Sequence, residues 1–65
     1  MKITQVPYLA TDTKKYNVIH NEKQYTCYLK SFSYDTVVTG DGESDGKIIT
    51  DTDLGRKIIL ACLKH

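Results

Sequence analysis

Ile58-Ile59-Leu60-Ala61-Cys62-Leu63 is the longest apolar run in a chain of 65 residues, and its reading decides the fold. Any core has to be assembled against it. Periodicity alone does not separate a buried strand from a helix in so short a run. The flanks favour a helix. Thr50-Asp51-Thr52-Asp53 has the form of a capping box, with a hydroxyl at the N-cap and a carboxylate three residues on to bond back. Asp51 and Asp53 would then lie at the positive end of the helix dipole, and Lys64 and His65 at the negative end. Leu54, Ile58, Ala61, Cys62 and His65 would share one stripe of the helix, apolar but for its last member. Gly55 argues the other way, costing about 1 kcal/mol in a helix interior. It would suit a hairpin loop Asp51–Gly55 joining strands 47–50 and 56–63.

Outward from that run, the clearest local signal is a β-hairpin. Tyr16–His20 and Gln24–Leu29 are rich in aromatic and β-branched residues. With Asn21-Glu22 as a two-residue loop, Val18 faces Tyr25, Tyr16 faces Cys27, and His20 faces Lys23. Tyr16, Val18, Tyr25, Cys27 and Leu29 then share one face, with Asn17, Gln24, Thr26 and Lys30 mostly on the other. Asn at the first loop position tolerates positive φ, whereas Glu at the second does not suit it, so a three-residue loop is the competing reading. Ile3–Leu9 reads as a first strand, which Pro7 confines to a sheet edge or ends early. Ser31–Tyr34 reads as a bend, Thr36–Thr39 as a short strand and Lys47–Thr50 as another. Gly40–Gly46, with three glycines and no apolar side chain, reads as an exposed loop. The expected architecture is α+β: an antiparallel sheet of four or five strands, one face covered by a C-terminal helix, in a single domain 1–65. The alternative is a small all-β barrel that residues 56–63 close.

Size and charge narrow the function. A chain of 65 residues stands near the lower limit for stability from an apolar core alone. Its apolar runs are far shorter than the ~20 residues that span a bilayer, and Met1–Val6 has no signal-like apolar segment. Two cysteines, Cys27 and Cys62, are too few for a secreted disulfide framework, so reduced thiols and a cytoplasmic location are expected. The net charge of +1 makes no case for nucleic acid or membrane, although residues 1–34 sum to +3 and residues 35–65 to −2.

Candidate chemistry is sparse. No nucleophile–base pair, carboxylate cleft or glycine-rich phosphate loop is visible, and the cysteines and histidines occur singly, without metal-ligand spacing. The chain is therefore expected not to be an enzyme and to carry no cofactor or bound metal. One pattern points the other way. Asp41, Glu43 and Asp45 with Gly46 and Ile48 resemble the first two-thirds of an EF-hand calcium loop, but position 12 is Thr52 in place of the bidentate glutamate. Five of the eight acids, Asp41, Glu43, Asp45, Asp51 and Asp53, fall in one stretch that can steer toward a basic protein partner. The leading expectation is a small protein-binding accessory, inhibitor or regulator acting through that stretch, with homodimerisation as a related route to stability. The alternatives are a calcium-binding loop and a single-stranded nucleic-acid binder using Lys14, Lys15, Lys23, Tyr28 and Lys30 of the hairpin.

Overall fold

Alternating polar and apolar residues give the chain its strands, and a computed structural model shows how they are ordered. It describes residues 1–30, 37–40 and 47–65. The elements are β1 (Lys2–Val6), β2 (Thr13–His20), β3 (Lys23–Lys30), β4 (Val37–Gly40) and α1 (Asp53–Leu63). The strands form one antiparallel sheet in the order β1-β2-β3-β4, and α1 packs on one face against β3 and β4. Residues 56–63 are helical, so the barrel alternative is not adopted. The expected bend Ser31–Tyr34, the first residue of the expected strand at Thr36 and most of the glycine-rich loop, Asp41–Gly46, lie outside the described residues.

The β2–β3 hairpin has the two-residue loop and the expected register, Val18 opposite Tyr25 and Tyr16 opposite Cys27. Asn21 and Glu22 take φ of 51° and 66°, the left-handed pair that matches the twist of the flanking strands. Asn accepts this conformation readily; Glu does so at a cost of about 1 kcal/mol. Register explains why the cost is borne, since a one-residue slip would turn Val18 and Cys27, both fully buried, toward solvent. Glu22→Gly is accordingly expected to stabilise the protein by about 1 kcal/mol, a rise in melting temperature of about 4–8 °C for a domain this small. A thermal melt followed by circular dichroism checks it.

The first strand is shorter than expected. It ends at Val6, because Pro7 has no N–H to continue the ladder, and it lies at the sheet edge. Lys47–Thr50 is not a full strand either. It makes a single bridge, Thr39 with Ile48, and the chain is held by Gly40 N–H donating to Lys47 O (2.8 Å) and Ile49 N–H donating to Val38 O (2.7 Å).

The helix starts two residues later than the capping-box reading placed it. Thr52, not Thr50, is the N-cap, and its hydroxyl accepts from Gly55 N–H at 3.0 Å while donating to Ile49 O at 2.6 Å. Thr50 serves the sheet instead, its hydroxyl accepting from Val38 N–H at 3.0 Å. Two nearby hydroxyls could each cap a helix, and the backbone of β4 claims the first. Asp53, the expected return acceptor, lies in the first turn and pairs with Arg56.

The core is formed by Tyr16, Val18, Tyr25, Cys27 and Val38 from the sheet and Ile58 and Cys62 from the helix. Ile3, Leu29, Ile49, Leu54 and Ile59 pack around it, half-buried. The expected helical stripe is thus the buried one, while Leu60 and Leu63 of the same apolar run stay 56% and 63% exposed. Because α1 covers the β3–β4 side of the sheet, Gln5 remains exposed on β1 although it pairs with buried Tyr16.

Candidate functional site

Among the described residues no helix lies over the opposite face of the sheet. Strand alternation places Lys2, Thr4 and Val6 of β1 there, with Thr13, Lys15, Asn17 and Ile19 of β2. From β3 come Gln24, Thr26, Tyr28 and Lys30, and from β4 Thr39. Register sets the neighbours. Lys15 stands between Val6 and Tyr28, and Lys30 stands one step along, opposite Thr13. Just beyond β1, Tyr8 folds back over this face and packs on Tyr28, ring centroids 5.4 Å apart and planes tilted by 59°. The Lys15 ammonium lies 5.7 Å from the centre of the Tyr28 ring, within cation–π range. Tyr8 keeps 48% of its surface exposed, so the cluster presents an aromatic ring and an ammonium side by side.

Charge on the strands is of one sign. β1 to β4 carry Lys2, Lys14, Lys15, Lys23 and Lys30 and no carboxylate. Among the described residues the acids are confined to connections and to the helix start: Asp12, Glu22, Asp51 and Asp53. Asp12 borders the face at the β1–β2 turn, where its carboxylate accepts from the Thr13 hydroxyl at 3.2 Å.

The hairpin residues singled out from sequence therefore divide. Lys15, Tyr28 and Lys30 come together on the uncovered face, whereas Lys14 and Lys23 alternate to the other. Lys14 borders a cleft of about 210 Å³ there, together with Tyr16, Leu29 and His65, and Lys30, the last residue of β3, also reaches its edge. That is smaller than the usual small-molecule site. Two participants escaped the sequence reading, Lys2 and Tyr8. Period-two alternation could have placed Lys2 beside Ile19, but Tyr8 reaches the face only because the chain turns after Pro7.

Of the acidic stretch, Asp41, Glu43 and Asp45 lie outside the described residues, as does most of the segment that resembles a calcium loop. Asp51 and Asp53 are fully on the surface, and Asp53 makes a solvent-exposed 3.5 Å pair with Arg56, a type of contact worth little. Among the described residues no group of three metal-ligating side chains comes together. No helix among them is long and apolar enough to cross a membrane.

The thiols are buried in the core. Cys27 of β3 and Cys62 of α1 are both free and neighbour one another in the core. Burial pushes the Cys27 pKa up to about 12, with the neighbouring Cys62 adding to the rise, and burial raises Cys62 as well. A nucleophilic cysteine needs a thiolate and access, and this pair has neither at neutral pH. His20 sits at the hairpin tip beside Asn21, its Nε2 3.4 Å from the amide nitrogen, and His65 lies edge-on to Tyr16 at 5.9 Å.

The thiol burial sets an alkaline limit to stability. Between the ordinary thiol pKa of about 9 and the folded value of about 12, the unfolded chain has lost the Cys27 proton and the folded chain still holds it. Fewer protons on the unfolded state mean that stability falls with rising pH, by about 1.4 kcal/mol per pH unit for this one group. Cys62 acts in the same direction. Urea unfolding at pH 7 and pH 10 is expected to show a loss of about 1.4 kcal/mol or more, and Cys27→Ala, whatever its own cost, to flatten the pH dependence.

Comparison with protein families, with curated proteins and with solved structures finds no match to this chain. The chemistry of its surfaces is what remains to suggest a function.

Proposed function

We propose that this protein is a small binding module, acting by surface contact and not by catalysis, and that the uncovered sheet face is its contact surface for a polyanionic partner. One observation carries the reading: the strands contain five lysines and no acid, and three of those lysines alternate to the face that no described helix covers, beside a tyrosine pair in which Tyr8 is exposed and Tyr28 half-buried. Such a face attracts negative charge from a distance and offers a ring surface on contact. The free thiol pair supports a reducing, cytoplasmic setting.

The test is an NMR titration of ¹⁵N-labelled protein with a heparin hexasaccharide, a polyanion with no aromatic groups. Shifts confined to the amides of Lys2, Lys15, Tyr28 and Lys30 and their neighbours support the reading. A titration without shifts there overturns it.

A second reading keeps the acidic stretch as the contact. The surface position of Asp51 and Asp53, which serve the helix start but bury nothing, supports a regulator that meets a basic protein partner through Asp41, Glu43, Asp45, Asp51 and Asp53. It predicts that a lysine-rich peptide, and not heparin, moves the amides of Asp51 and Asp53.

A further inference from the structure

Resting on the sheet-face reading, we infer that the polyanion taken by this surface is a single-stranded nucleic acid, with bases stacked on Tyr8 and Tyr28 and phosphates met by Lys2, Lys15 and Lys30. Charge complementarity sets the class of partner, and the rings narrow it. Polysaccharide sulfates and acidic peptides use the ammonium groups alone. A base has a π-face, and Tyr8 presents a ring with 48% of its surface open. Tyr28, half-buried, lies beside it at 5.4 Å, so the two rings form one aromatic cluster for the bases to meet. The Lys15 ammonium, 5.7 Å from the Tyr28 ring centre, stands where the phosphate next to a stacked base would pass. Thr4, Asn17, Gln24, Thr26 and Thr39 add uncharged hydrogen-bonding groups to the face, beside the apolar Val6 and Ile19.

The form of the surface selects single strands. Reading a duplex takes an element that enters a groove, a helix or a two-stranded ribbon. Here the side chains stand on a four-stranded sheet, about 14 Å across at the usual strand spacing. Four strands hold about four nucleotides, at the low end of the range for single-strand binding domains. Stacking and phosphate contacts carry no base code, so binding is expected to be tolerant of sequence. Asp12 at the rim opposes it, and Asp12→Asn is expected to strengthen it.

Fluorescence anisotropy with a labelled 12-nucleotide oligo-dT at low salt tests this. With three lysines on phosphates, the logarithm of the binding constant should fall against the logarithm of salt with a slope of about −2, since each contact on a single strand contributes about 0.7. Tyr8→Ala, at an exposed position, should weaken oligo-dT binding about tenfold. Lys15→Ser should flatten the salt slope by about 0.7, whereas Lys23→Ser, which removes the same charge from the opposite face, should not. An abasic 12-mer should bind about tenfold more weakly than oligo-dT. Equal binding of the abasic strand, tighter binding of a duplex, or indifference to Tyr8→Ala would overturn the nucleic-acid inference while the polyanion reading stands on its heparin response. Failure of both heparin and oligo-dT to bind would overturn both.

Discussion

Ile58→Asp is expected to leave no folded protein at 25 °C. Ile58 has 0% of its surface exposed and sits where α1 meets the sheet, against the side chains that β2, β3 and β4 contribute to the core. Removing the aliphatic chain alone costs about 2–5 kcal/mol. The new carboxylate adds its own penalty, because it must either lose its hydration without a partner or take up a proton. A single-core domain of this size has only about 3–5 kcal/mol to lose. Collapse of NMR amide dispersion and loss of the cooperative thermal transition are the expected readouts. Leu60→Asp supplies the contrast. It changes the same apolar run two residues on, but at a position 56% exposed, and should cost under about 1 kcal/mol. An unchanged melting temperature for Ile58→Asp would mean that the helix does not close the core.

Gly55→Ala is expected to destabilise the protein by about 2–3 kcal/mol, although the same exchange inside an ordinary helix stabilises by about 1. The sign reverses because of the cap. Thr52 N–H and the Thr52 hydroxyl both donate to Ile49 O, at 3.0 and 2.6 Å, and the Thr52 hydroxyl accepts from Gly55 N–H. These bonds draw the incoming chain tightly over the first helical turn. A Cβ on Gly55 would land on the Ile49 carbonyl, 2.7 Å from its carbon and 3.1 Å from Thr50 Cα. Both obstacles are backbone, so no side-chain rotation relieves them. Relief requires the cap to open or the helix to lift from Cys27 and Val38. Chemical denaturation of the variant decides between the two signs, and a more stable Gly55→Ala protein would refute the packing at this turn.

The hairpin illustrates what could be read from residue order. Val18 and Cys27 must face one way and Asn17 and Thr26 the other, and only the two-residue loop allows this while keeping Tyr16 opposite Cys27. A strained Glu22 did not prevent it, because about 1 kcal/mol in a turn is small beside the burial of a whole strand face. The stripe Leu54, Ile58, Ala61 and Cys62 was legible for the same reason: periodicity reports the face that burial selects.

Other features had no signature of that kind. Thr50 and Thr52 are equivalent caps on paper, and the choice between them was made by Val38 N–H, which lies 12 residues from Thr50 in the chain. Lys47–Thr50 has strand composition, yet how far it pairs depends on the path from β4 to the helix.

The candidate surface was legible in part. Once the hairpin register was set, Lys15, Tyr28 and Lys30 were bound to share a face. Which face the helix would leave open, and that Tyr8 would return across it after Pro7, depended on contacts between residues far apart in sequence.

The sequence by itself determined the two local patterns, the hairpin with its register and the amphipathic helix, because each is a choice of face enforced within a few residues by hydrophobic burial. Only the tertiary structure decided the rest: the N-cap, the need for glycine at position 55, the proximity of the free thiols Cys27 and Cys62, and the assembly of the lysine–tyrosine face. Each of those depends on where the helix lands on the sheet, and that position is set by packing summed over the whole core and not by any single stretch of chain.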